Sequence, residues 1–148
     1  MKKKILLPIQ GTLKSLKETP DEVFSNGSVG PGFLIIPEKG EVIAPFNGTI
    51  NILFPGGHAI GIKGQSGLDV LIHIGLDTVN LKGEGFKAHI KKGDYVKKGD
   101  PLVSFDMDTL KDKVPSLASP VVFPEMKSAD ILKQKDKDSK TILKISVE

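Results

Sequence analysis

Few stretches of this chain run far before meeting a glycine or a proline. Sixteen glycines and ten prolines are spread over 148 residues. Both disfavour helix interiors, glycine through its backbone entropy and proline through its missing N–H. Short apolar runs lie between the breaks, at residues 5–7, 33–36, 41–44, 49–54, 58–63, 70–74, 101–105, 120–123 and 141–147. Many short strands with frequent Gly/Pro turns predict an all-β fold, a sandwich or a barrel. Helix is confined to a few short turns, the best candidates being 109–113 and 128–133. No shift of composition divides the chain, so residues 1–148 read as a single domain.

The turns have a grammar of their own. Asn47-Gly48 stands between apolar flanks, a strong hairpin signal. Gly93-Asp94 recurs six residues on as Gly99-Asp100. Those glycines can take positive φ, and each aspartate can brace its own turn through a side-chain hydrogen bond. The same turns resemble the scaffold of biotinyl and lipoyl carrier domains, which hold a modified lysine between them in a tight hairpin. Here the Met126-Lys127 pair lies beyond Ser119-Pro120-Val121-Val122, so no carrier lysine is expected. Asp136-Lys137-Asp138-Ser139 is expected to turn the chain before residues 141–147 close the sheet.

Composition removes several function classes. Without cysteine there are no disulfides, thiolate metal sites or thiol nucleophiles. All 21 basic residues are lysine, so the bidentate arginine that reads guanine edges and fixed phosphates is missing. One tyrosine and no tryptophan make a poor base-stacking platform. With a net charge of only +3 and acids interleaved among the lysines, nucleic acid is not an expected partner. The opening Met1-Lys2-Lys3-Lys4-Ile5-Leu6-Leu7 mimics the head of a signal peptide, but Pro8 and Gln10 end its apolar stretch early. No apolar run reaches the ~20 residues of a membrane span. The chain is expected to be cytoplasmic and not membrane-inserted.

Residues 70–86, V-L-I-H-I-G-L-D-T-V-N-L-K-G-E-G-F, carry the chemistry. Strand alternation puts Val70, Ile72 and Ile74 on one face, the natural core side, and Leu71 and His73 on the other. His73 then points outward, either as an inert histidine at a sheet edge or as a reactive one. A nucleophilic imidazole must be neutral, with one nitrogen lone pair free and the other N–H held by an acceptor. Gly75 leaves room beside the ring for a tetrahedral phosphoryl group. His58, after Phe54-Pro55-Gly56-Gly57, could donate a hydrogen bond to such a group. Asp77 is either an orienting and charge-tuning carboxylate or a simple turn or N-cap residue. His89 sits among lysines and reads as a surface residue.

A longer pattern runs through these residues. It comprises Phe54-x-x-x-His58-Ala59, Leu71-Ile72-His73-Ile74-Gly75-Leu76-Asp77-Thr78-Val79-x-Leu81-x-Gly83-x-Gly85-Phe86, and Gly93-Asp94-x-Val96-x-x-Gly99-Asp100-Pro101-Leu102. Asp21-Glu22-Val23-Phe24-Ser25, Gly30-x-Gly32-Phe33, Ala44-Pro45-x-x-Gly48 and Ser119-Pro120-Val121-Val122 belong to it too. In one unbroken order from about Pro8 to Phe123, it resembles the glucose-type enzyme IIA family of the bacterial phosphoenolpyruvate:sugar phosphotransferase system.

The resemblance implies a compact antiparallel β-sandwich of the duplicated hybrid motif type and a phosphohistidine relay. His73 would be the nucleophile that takes a phosphoryl group from the phosphohistidine of the small carrier HPr. His58 would support that group, and Asp77 would stand beside the site. Phe54, Leu71 and Phe86 would form an apolar docking rim, with a role as core residues equally open. The acceptor would be a cysteine of a sugar permease's IIB domain, and regulated permeases or metabolic enzymes are further candidate partners. No cofactor is required; zinc at His58 and His73 would need a partner's carboxylate. Two departures stand out. Gly56 occupies a position where the family usually has threonine, and residues 124–148 lack the usual glycine-punctuated last hairpin.

Two rivals share the features. Zinc peptidases of lysostaphin-like architecture use a His-x-x-x-Asp motif, which His73 and Asp77 satisfy, but the required His-x-His pair is missing. A regulatory module would bind partners and report phosphorylation through charge without passing the group on.

Overall fold

A computed structural model of the protein describes residues 1–65, 67–135 and 141–148. In chain order the elements are β1 (Lys2–Leu6), β2 (Ile9–Ser15), α1 (Glu22–Ser25), β3 (Gly32–Ile43), β4 (Gly48–Leu53), β5 (Ala59–Gly64) and β6 (Asp69–His73). They continue with β7 (Phe86–Ala88), β8 (Tyr95–Val96), β9 (Pro101–Phe105), α2 (Met107–Leu110), β10 (Ser119–Val122), β11 (Ala129–Lys135) and β12 (Thr141–Val147). Single 3₁₀ turns occupy Leu16–Glu18, Pro55–Gly57 and Thr78–Leu81. The expected all-β class holds, and both α-helices are four residues long.

The strands form two antiparallel sheets. The larger runs β7-β9-β3-β10-β6-β5-β4-β8, with β2 also paired to β3, and the smaller runs β1-β12-β11. Both contribute to one apolar core: Ile5, Leu143, Ile145 and Val147 from the smaller sheet pack with Phe33, Ile35, Val42, Ile60, Ile62, Ile72 and Val121 from the larger. Alternation delivers these residues inward. Along β6, Val70 and Ile72 are buried while Leu71 and His73 are half-exposed, as the sequence pattern predicts.

Four details differ from expectation. The apolar runs 33–36 and 41–43 are one strand, β3, which pairs with β2 between Phe33 and Val42, with β10 near its start and with β9 near its end. Residues 128–133 are not helical. From Ala129 on they lie in β11, which pairs with β12 from Ala129↔Val147 to Lys135↔Thr141. Ile131 there packs on the core while Leu132 is 60% exposed, so pairing and a period of two override a short helical tendency. Asn47-Gly48 makes no two-residue hairpin, because β4 pairs with β5 and β8 and not with β3. Instead the Asn47 side chain accepts from the Lys98 N–H at 2.7 Å. Helix α2 begins ahead of the expected 109–113, since Asp106 caps it by accepting from the Thr109 N–H.

The repeated Gly-Asp turns behave as expected. Gly93 and Gly99 have φ of 96° and 93°. Asp94 accepts from the Lys91 N–H at 2.9 Å, and Asp100 from the Lys97 N–H at 2.8 Å. The expected turn at Asp136-Lys137-Asp138-Ser139 lies outside the described residues.

Candidate functional site

The two histidines are brought together by sheet register. Antiparallel pairing of β5 with β6 sets Ala59 opposite His73, so His58 stands one step beyond the ladder's end. The Ile74 N–H donates to the His58 carbonyl at 2.7 Å and extends the ladder past both residues. The rings meet edge to face, with centroids 5.6 Å apart and planes at 77°. Phe24, from α1, lies 5.5 Å from His73 on centroids. Phe54 stacks on His58 at 5.5 Å with only 24° between planes.

His73 has a defined tautomer. Its Nδ1 lies 2.8 Å from the Gly75 carbonyl oxygen. A carbonyl can only accept, so in the neutral ring Nδ1 carries the proton and Nε2 keeps its lone pair. The carbonyl is held by its own supports. The Gly75 N–H donates to Ser119 Oγ at 3.1 Å, and Ser119 donates to the Leu117 carbonyl at 2.8 Å. Next to it, Thr78 Oγ1 donates to the Ile74 carbonyl at 2.8 Å. Ser119 and Thr78 are fully buried. Gly75 itself has φ 69°, and a Cβ there would meet Thr78 Cγ2 at 3.0 Å and the Ser116 carbonyl oxygen at 3.1 Å. Its observed part is to turn the chain and present an acceptor to the ring.

Burial lowers the His73 pKa below the ordinary 6.5, and the charge of a protonated His58 would lower it further. The Gly75 carbonyl and the more distant Asp21 and Asp77 oppose this in part. Burial likewise lowers His58, which is only 4% exposed. The Pro55 carbonyl lies close enough to the His58 ring to favour its protonated form. Even so, His58 Nδ1 is buried without a hydrogen bond of ordinary geometry.

Gly56 cannot carry the threonine that the family pattern places there. Its φ is 86°, and a Cβ would fall 2.2 Å from the Cα of Gly83. The two glycines let the Pro55–Gly57 turn press on the loop that follows Thr78–Leu81. No hydroxyl from this position reaches His58.

Asp77 is exposed, with a left-handed φ of 57°. It occupies the cap position of the Thr78–Leu81 turn but makes no side-chain cap bond. Ring orientation therefore belongs to the Gly75 carbonyl, and Asp77 reaches His73 only through space. Among the docking-rim candidates, Phe54 is 49% exposed. Leu71 is half-buried against Leu16, Phe24 and Val122. Phe86 turns to the main core, 6.3 Å from the Phe105 ring. Sequence reasoning gave no role to Phe24, Thr78 or Ser119, nor to Val23 and Val79, which are 50% and 59% exposed on the segments that carry the site. The signal for Phe24 was its place after a capping aspartate, Asp21, whose Oδ1 accepts from the Val23 N–H at 3.0 Å. His89 is exposed as expected, its Nε2 2.7 Å from Ser104 Oγ.

The donor set does not make a metal centre by itself. Among the described residues no group of three or more His, Cys, Asp or Glu side chains could hold a metal ion. His58 and His73 offer two imidazoles, so a zinc ion would need a carboxylate from another molecule. The peptidase alternative lacks a ligand set here. Among the described residues no helix is long and apolar enough to cross a membrane.

The family model described as phosphoenolpyruvate-dependent sugar phosphotransferase system, EIIA 1, matches residues 3–129. The chain is 50% identical over 118 residues to a glucose-specific EIIA component of Halalkalibacterium halodurans, covering 80% of this chain and 68% of that protein. It is 51% identical over 115 residues to a beta-glucoside-specific EIIBCA component of Bacillus subtilis, covering 78% of this chain but only 19% of that larger protein. The solved structure of glucose permease IIA from Mycoplasma capricolum superposes with a TM-score of 0.85, at 39% identity and 96% coverage of each chain.

Proposed function

Because the chain belongs to the EIIA 1 family of the phosphoenolpyruvate-dependent sugar phosphotransferase system, we propose that it is a glucose-type phosphocarrier in which His73 takes a phosphoryl group from phospho-HPr and passes it to a cysteine of a permease IIB domain. The observation that supports this most is the His73 ring itself. Nδ1 is tied to the Gly75 carbonyl at 2.8 Å, which leaves the Nε2 lone pair available beside a buried second histidine.

In the first transfer the Nε2 lone pair forms a new N–P bond as the donor's N–P bond breaks. The donor imidazole leaves with that electron pair, and the proton of His73 stays on Nδ1, still donated in a hydrogen bond to the Gly75 carbonyl. In the second transfer a thiolate sulfur attacks phosphorus, an S–P bond forms, and the N–P electron pair returns to Nε2. His58 supports the group as a hydrogen-bond donor to a phosphoryl oxygen. Phe54, Val23 and Val79 offer exposed apolar surface on the flanking segments, suited to docking both partners in turn.

Residues 1–148 act in this reading as one IIA domain, in the cytoplasm, with no cofactor. Zinc would bind His58 and His73 only when a partner adds a carboxylate. Regulation is compatible with relay. A phosphoryl group adds about −1.5 to −2 charges to this apolar face, enough to displace a partner docked on it.

One mixture tests the reading. The chain is incubated with phosphoenolpyruvate, enzyme I and HPr, and acid-labile, base-stable phosphate is sought on it. His73→Ala should abolish the label, and His58→Ala should keep labelling by HPr while impairing passage to IIB. Persistent label in the His73 variant would remove the assignment.

A further inference from the structure

The His58 ring poses a problem that the transfer reaction does not solve for it. It is 96% removed from solvent by its neighbours, being 4% exposed, yet Nδ1 has no hydrogen-bond partner. The Pro55 carbonyl lies near the ring without making a bond of ordinary geometry to Nδ1, and the torsion about Cβ–Cγ is for histidine broad and roughly two-fold. Rotation about that bond tilts the ring plane and swings its nitrogens away from the group that the supporting role requires them to face.

The residues immediately before His58 are Gly56 and Gly57, both at positive φ, and Gly56 is pressed so closely on Gly83 that no side chain fits. What touches the ring face is Phe54, stacked at 5.5 Å and 24°, and what meets its edge is His73. Phe54 is itself 49% exposed. The tight turn Pro55–Gly57 folds the chain back so that the residue before it lies on the residue after it, closed by the Gly57 N–H donating to the Phe54 carbonyl at 2.8 Å.

We propose that Phe54 is a positioning residue for His58, its stacked ring holding the imidazole plane in the transfer-competent orientation, which no hydrogen bond of ordinary geometry at Nδ1 enforces. The proposal rests on the phosphocarrier reading for its consequence but not for its geometry. It assigns Phe54 a task beyond docking: leucine at this position would keep the rim apolar but could not stack.

Phe54→Leu and Phe54→Tyr separate the two roles. In NMR spectra of the unphosphorylated protein, the Phe54 ring current shifts the carbon-bound His58 ring protons upfield. Leucine should remove that shift and broaden or double the His58 signals, and tyrosine should restore it. In transfer from the phosphorylated chain to a IIB domain, leucine should lower the maximal rate about five-fold, with KM changed by less than about two-fold, and tyrosine should recover it. Unshifted His58 resonances, with KM raised and the maximal rate intact, would overturn the proposal and leave Phe54 a docking residue alone. If the wild-type chain takes no phosphoryl group from phospho-HPr, the phosphocarrier reading fails instead, and the NMR comparison still judges the stack.

Discussion

At the scale of single residues, the site is a set of backbone acceptors placed against side chains. Gly75 is the sharpest case. Gly75→Ala forces a Cβ onto a left-handed backbone and against Thr78 and Ser116. Together these should cost about 1–3 kcal/mol by urea denaturation and slow phosphoryl acceptance by displacing the carbonyl that fixes His73. Ser119→Ala leaves the buried Gly75 N–H without its acceptor, a loss of about 1–3 kcal/mol in the same assay. The depressed His73 pKa predicts the form of the pH profile. In the proposed transfer neutral imidazole is the reactive species, so acceptance from phospho-HPr should stay flat as pH falls through 6.5 and decline only below it. A decline centred above 6.5 would contradict the burial of this ring.

At the scale of elements, short pieces are stable only through what they rest on. Helix α1 has four residues and cannot hold itself; Phe24 anchors it against Leu16 and Val122. Phe24→Ala should cost about 3 kcal/mol and raise amide exchange in α1 well above that of the sheets. On the outer face of the smaller sheet, Lys4 stands directly opposite Lys144, both exposed. Replacing one of these like charges, as in Lys144→Glu, should stabilise the protein by about 0.5 kcal/mol, read as a rise in Tm that salt diminishes.

Elements of this kind also mark where sequence reading succeeds. The outward direction of His73 and the braces of Asp94 and Asp100 were legible because period and turn chemistry are local. The role of 129–133 in β11 was not, since it rests on pairing with β12, which a short window of sequence does not reveal. Nor was the Gly75 carbonyl, because a backbone atom leaves no mark in a residue pattern. Gly56 was visible as a departure, but its reason, the approach of Gly83, is a contact between distant segments.

At the scale of the whole molecule, the two site histidines link stability to pH. Both are lowered from 6.5, so below that pH the unfolded chain binds protons that the folded chain does not yet accept. Their contribution is complete above 6.5, falls as pH drops from there toward the lower folded values, and then levels off. A double variant, His58→Gln with His73→Gln, should lose this part of the pH dependence in thermal melts. One last consequence follows from the Ile74–His58 backbone bond at the end of the β5–β6 ladder. The distance between the two imidazoles is counted out by strand pairing, and a slip of one residue would turn His73 inward. The reactive centre therefore has no hinge or melting point of its own. Loss of phosphoryl acceptance on heating should coincide with loss of the β-sheet circular dichroism, so that the chemistry serves as a gauge of the fold.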